Sequence, residues 1–250
     1  MKTRLFDIQT GFGGVAKGKI GEVTLEELLG EMRRLDIEKA LVRTLPDEQI
    51  MDVPSANELL LRDCEKRADL VPCPILMPNG GGDLASEEEQ IGAFVRRGAG
   101  AVALRPKEDY WSLSDWASGP LFRELEKRQL PALCHLEKID LEALAEIAGR
   151  YPRLPLLLAA IGYRAHRTLI PLMKRFPNLY ASIGNPYTVH DGIECLVEEV
   201  GPERLLFGSG YPGAEPMGAI GQLVYADVSD DAKGLIGHGN AERLLKGIVR

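Results

Sequence analysis

Eight short apolar segments recur along this chain, each divided from the next by a stretch of helical character. They are Leu5 to Gln9, Ala40 to Leu45, Leu70 to Leu76, Ala101 to Arg105, Ala132 to Glu137, Leu156 to Ile161, Leu179 to Ile183 and Leu205 to Gly208. Strands that alternate with helices run parallel, because each crossover returns the chain to the same end of the sheet. Eight such units fit a closed (β/α)8 TIM barrel better than an open α/β sheet, and 250 residues suit one barrel, so residues 1–250 are expected to form a single domain. The helical stretches carry their own signals. Thr24 and Glu27 make a capping box, after which Leu25, Leu28, Leu29, Met32 and Leu35 share one face. A helix near Asp115 to Gln129 presents Leu121, Phe122 and Leu125 in the same way. Another, Leu141 to Arg150, stops at Tyr151-Pro152, since a proline disfavours helix at the residue before it.

Composition narrows the partners. A net charge of −7 argues against nucleic acid or an anionic membrane, both of which demand a basic surface, and leaves a small-molecule ligand as the expected partner. Met1 to Gly11 runs straight into a strand, and no apolar run approaches a signal peptide or a membrane span, so a cytoplasmic location is expected. Cys64, Cys73, Cys134 and Cys195 are scattered without a C-x-x-C; they read as small buried apolar residues, not as a disulfide framework or zinc site.

In such barrels the chemistry sits where strands run into the following loops. Gly13 to Lys19 fits a phosphate-loop pattern there, but Ile20 follows where Ser or Thr must hold Mg²⁺, so the glycine-rich loop 11–22 is expected to be a lid over the mouth. On the fourth strand the small Ala101 and Ala103 face the crowded interior, and the alternation turns Arg105 inward. Tyr110, Trp111 and Trp116 follow it and are expected to pack on neighbouring helices. His166 and His238 read as structural. No G-x-S-x-G elbow or other nucleophile motif is present.

Two segments near the end, GPERLLFGSGYP (Gly201 to Pro212) and GNAERLL (Gly239 to Leu245), resemble the end of the barrel in the metal-dependent amidohydrolase family, the branch with amidohydrolase-related hydrolases, lactonases and decarboxylases. LPALCHLE, RYPRLPLLLAAIG and RFPNLY come in that family's order and approximate spacing. The resemblance implies a barrel whose metal-bound hydroxide attacks a carbonyl while a strand-eight Asp moves the proton. This chain departs from that pattern: Asp7, Gln9 and Gly11 stand where the family has Asp-x-His-x-His, Ala160 replaces the strand-six histidine and Gly210 the strand-eight aspartate. Only His135 survives. A single imidazole holds a transition metal poorly, so no metal and no cofactor are expected.

What remains is a polar set over space vacated at Ala160 and Gly210. The resemblance turns His135 inward, and alternation along the strand then places Glu137 beside it. One expectation is a metal-independent hydrolase or lyase acting on a small, anionic, carboxylate-bearing substrate. His135 would be the general acid or base, Glu137 its orienting partner, and Arg105 the group that binds a carboxylate or an oxyanion. Gln9, Tyr163, Arg164, Asn185 and Tyr211 would line the pocket. The alternative is a non-catalytic ligand-binding or scaffold protein, in which Arg105, Glu137 and Asp7 merely satisfy one another. A homo-oligomer is compatible with either.

Overall fold

The strands alternate between two apolar surfaces. In the computed structural model, which describes residues 4–13, 23–45 and 52–250, strand β1 (Leu5–Phe12) pairs in parallel with β2 (Ile37–Thr44), and β2 with β3 (Leu70–Pro72). A second arc runs in sequence through β4 (Val102–Leu104), β5 (Ala132–His135), β6 (Leu156–Ala159), β7 (Leu179–Gly184) and β8 (Leu205–Gly208), again all parallel. The arcs meet twice. Ala103 donates to the carbonyl of Pro74 at 2.8 Å and accepts from Leu76 N at 3.0 Å on one side; Gly210 N donates to Gln9 O at 3.0 Å on the other. The result is a (β/α)8 barrel. β3 is shorter than the apolar run 70–76 because Pro72 and Pro74 lack the N–H that a ladder needs.

Around the barrel lie α1 (Leu25–Arg34), α2 (Val53–Cys64), α3 (Glu87–Arg96), α4 (Asp115–Arg128), α5 (Leu141–Arg150), α6 (His166–Arg175), α7 (Gly192–Val200), α8 (Pro216–Tyr225), α9 (Asp230–Gly234) and α10 (Asn240–Gly247). The capping box before α1 is formed in both directions: Thr24 N donates to Glu27 at 2.8 Å, and Glu27 N to Thr24 Oγ1 at 3.2 Å. α5 ends at Arg150, ahead of Tyr151-Pro152 as expected. Leu121, Phe122 and Leu125 of α4 are fully buried, each contributing about 1.5–3 kcal/mol of burial.

Phe6, Ile8, Leu41, Cys73, Ile75, Ala101, Ala103, Leu133, Leu157, Ala159 and Leu206 fill the barrel interior as one cluster. Their neighbours in sequence, among them Val102, Cys134, Leu158 and Phe207, join the larger cluster against the helices. This is the period-two pattern of a strand buried on both faces. Two asparagines explain parts of the C-terminal motifs. Asn240 Nδ2 donates to Pro202 O (2.7 Å) and Leu205 O (2.8 Å), tying the closing helix to the start of β8. Asn178 Nδ2 donates to the carbonyls of Ala148, Tyr151 and Leu154, satisfying the open end of α5. Among the described residues, no helix is long and apolar enough to cross a membrane.

Candidate active site at the barrel mouth

The mouth divides into two unlike halves. In the first, β1 carries a bulge: Asp7 pairs with Ala40, but Thr10 pairs with Val42, so one strand uses an extra residue between those rungs. The bulge re-aims Gln9. Its Oε1 accepts from Ser182 Oγ (3.0 Å) and Ala160 N (3.2 Å), and its Nε2 donates to Asn185 O (3.4 Å). Gly208 makes room for this side chain, since a Cβ there would lie 2.8 Å from Gln9 Cβ and 2.1 Å from Ser182 Oγ. Ala160 takes φ +52°, which turns its N–H toward the amide. One carboxamide therefore joins β1 to the ends of β6 and β7.

Asp7 completes that half. It is buried, and its carboxylate accepts from Ser209 N (3.0 Å), Ser209 Oγ and Gln9 N (2.9 Å), closing the seam between β1 and β8. Burial raises its pKa above the ordinary 3.8; the Ser209 and Gln9 hydrogen bonds and the charge of Arg43 oppose that shift without cancelling it. The Gln9 amide reaches Ala160, and at Gly210 (φ +78°) the chain turns so tightly that a Cβ would lie 3.3 Å from Ala214 Cβ and 3.4 Å from Asn185 O. A side chain at 210 would be strained as well as crowded.

The second half is charged. Leu104 pairs with Cys134; Arg105 directly follows β4 and His135 ends β5, at the mouth ends of these adjacent strands. Arg105 is 3% exposed and is held by Asp109 through Nε (3.0 Å) and Nη2, a bidentate pair within one turn of chain. Beside it Glu108 meets Lys138 at 2.8 Å. Burial opposes ionisation of Glu108, yet the Lys138 ammonium, its own backbone N–H and Arg105 together hold its carboxyl below the ordinary 4.5. Glu108, Asp109 and Lys138 were not singled out in the sequence; the run Arg105-Pro-Lys-Glu-Asp directly after an interior strand was the signal available.

Other expected members lie elsewhere. Glu137 does not share the side of His135, because β5 ends at His135 and Leu136–Lys138 is a 3₁₀ turn with a period near three. It is exposed, with Oε1 against Gly162, in a groove of about 290 Å³ that it shares with Arg164, Leu141 and Leu172. Arg164 and Tyr163 are exposed and stack on each other, the guanidinium 5.6 Å from the ring centroid. Tyr211 packs partly buried against the helix-side core, and burial with Glu31 and Glu27 nearby pushes its phenol up. Asn185 joins the mouth through its carbonyl, while its Nδ2 donates to Glu215 O at 3.3 Å. Trp111 packs against the core as expected, whereas Tyr110 and Trp116 are 97% and 83% exposed. Most of the loop 11–22 expected to be a lid, residues 14–22, lies outside the described residues.

The amidohydrolase family profile matches residues 32–247. No curated protein sequence matches the chain. Among solved structures, 5-carboxyvanillate decarboxylase from Sphingomonas paucimobilis is similar over 98% of this chain and 99% of that one, with a TM-score of 0.76 at 15% identity. A 2,6-dihydroxybenzoate decarboxylase from Rhizobium gives 0.73 at 16%, over 98% and 99%. A dihydroxybenzoic acid decarboxylase from a Polaromonas species, with bound manganese and the inhibitor 2-nitroresorcinol, gives 0.73 at 13%, over 98% and 97%. At these identities the likeness shows the fold.

The described residues of the mouth do not gather the donors for such a metal. Among the described residues no group of three or more His, Cys, Asp or Glu side chains could hold one. The Gln9 amide is committed to three strands, and both Asp7 oxygens accept hydrogen bonds from Ser209.

Proposed function

Because this chain belongs to the amidohydrolase family, yet keeps its charged groups on the β4–β5 side of the mouth, we propose that it acts on a small carboxylate-bearing substrate by metal-independent acid–base catalysis. The observation that carries this reading is the placement of Arg105 and His135 at the mouth ends of two adjacent strands, with the Glu108–Lys138 pair in the turns that follow them. His135 is the proton-transfer group. Arg105, held in its orientation by Asp109, supplies the positive end that a substrate carboxylate seeks. Glu137 has no role at this site.

Of the two reaction types, lyase chemistry asks less of these residues than hydrolysis does. Hydrolysis needs an activated water, which the metal supplies in metallohydrolases. Loss of CO₂ needs only that the C–C bond break, that the electron pair remain on carbon, and that a proton then arrive there from His135. Decarboxylases acting on aromatic carboxylates among the similar structures support testing that class first. The test is turnover of aromatic and aliphatic carboxylates by chelator-treated protein. His135→Ala is expected to lower kcat by roughly 10²–10⁴-fold, and an unchanged kcat overturns the assignment. The closed Arg105–Asp109 pair favours a second reading, a non-catalytic binding protein; carboxylates would then raise Tm without being consumed.

A further inference from the structure

We propose that Cys195, with His166 as its general base, is a site of thiol–disulfide exchange that accepts a low-molecular-weight disulfide. The pair lies outside the barrel mouth, between α6 and α7. Cys195 Sγ is 3.8 Å from His166 Nε2, and His166 Nδ1 is 2.6 Å from the hydroxyl of Tyr187, a residue only 3% exposed. A nucleophile within reach of a base, with the base oriented by a third group, is the arrangement that activates cysteine and serine nucleophiles. In the proposed pair the Tyr187 hydroxyl, which burial keeps protonated, accepts from Nδ1–H, so that Nε2 faces the sulfur as the base.

The other cysteines differ in each respect. Cys64, Cys73 and Cys134 are 4%, 0% and 1% exposed, and burial pushes their thiols up to about 12. Cys195 is half-buried. Burial, Glu199 and Glu198 raise its thiol too, against Lys174, so the resting group is a protonated thiol that needs a base. In the step, the Cys195 proton passes to His166 Nε2 as Sγ attacks one sulfur of the disulfide. A new S–S bond forms, the old one breaks, and the departing thiolate takes a proton from the imidazolium, so one thiol and one disulfide go in and one of each comes out.

The experiment treats the native full-length chain with 4,4′-dithiodipyridine, and separately with glutathione disulfide, with adducts located by peptide mass mapping. One of the four thiols is expected to react in a fast phase and to map to Cys195. Cys195→Ser should abolish that phase, and His166→Gln should slow it about 10-fold or more with Tm unchanged. The native fast rate should also exceed that of a solvent-exposed cysteine in a short peptide at the same pH, a comparison that needs no variant. A fast adduct on another cysteine, a native rate at or below the peptide's, or a rate unchanged in His166→Gln overturns the proposal.

Discussion

The two halves of the barrel mouth solve the same problem with opposite means. On the β1, β6, β7 and β8 side, polar groups are few and close on one another: one amide joins three strands and one buried carboxylate closes the seam. On the β4–β5 side two ion pairs stand beside a histidine. The first half does what a metal would do for cohesion, bringing strand ends together, with hydrogen bonds in place of coordination. The second keeps groups that can move a proton. On the function proposed above, cohesion and reactivity, which one metal ion can supply together, are separated across the mouth.

Removing Arg105 should produce the largest effect. Arg105→Ala leaves Asp109 buried without its bidentate partner, and a loss of about 3–5 kcal/mol in urea unfolding is expected. Next comes the response of the two halves to pH. Asp7 has its pKa raised on folding, so its contribution is fully present below the ordinary value of 3.8 and is lost as pH rises through the folded value. Glu108 has its pKa lowered, so its contribution is present above 4.5 and is lost as pH falls through the folded value. Stability measured against pH for Asp7→Asn and Glu108→Gln should therefore deviate from the parent in opposite directions; deviations of the same sign break the comparison. Asp7→Asn should also cost about 1–3 kcal/mol near neutral pH, through the hydrogen bonds from Ser209. Gln9→Ala, which strands Ala160 N and Ser182 Oγ, should cost about 1–2 kcal/mol without touching the pH response of Glu108. Glu137→Ala should be nearly silent, within about 0.5 kcal/mol, with kcat unchanged.

The barrel was legible because period-two alternation and turn residues are local properties: Leu133 faces inward and Cys134 outward as the pattern requires. The same parity turned Arg105 inward, while His135 was placed there by the family resemblance. Glu137 was misplaced because parity ends where a strand ends, and nothing in LCHLEK marks the switch to a 3₁₀ turn after His135. Gln9 was recognised as a substitution, but its reach across three strands depends on a bulge, on Gly208 and on Ser182, residues that lie 199 and 173 positions further along the chain. Such a coincidence is tertiary. The His166–Tyr187–Cys195 cluster is hidden for the same reason, since each member alone reads as structural.

Metal content under turnover conditions tests the central claim most directly. Protein purified without added metal should contain far less than one equivalent of manganese, iron or zinc, and any carboxylate turnover it supports should survive chelation and vanish in His135→Ala. A stoichiometric, chelator-sensitive metal required for that turnover would contradict the account, because it would return the chemistry to the half of the mouth assigned here to cohesion alone.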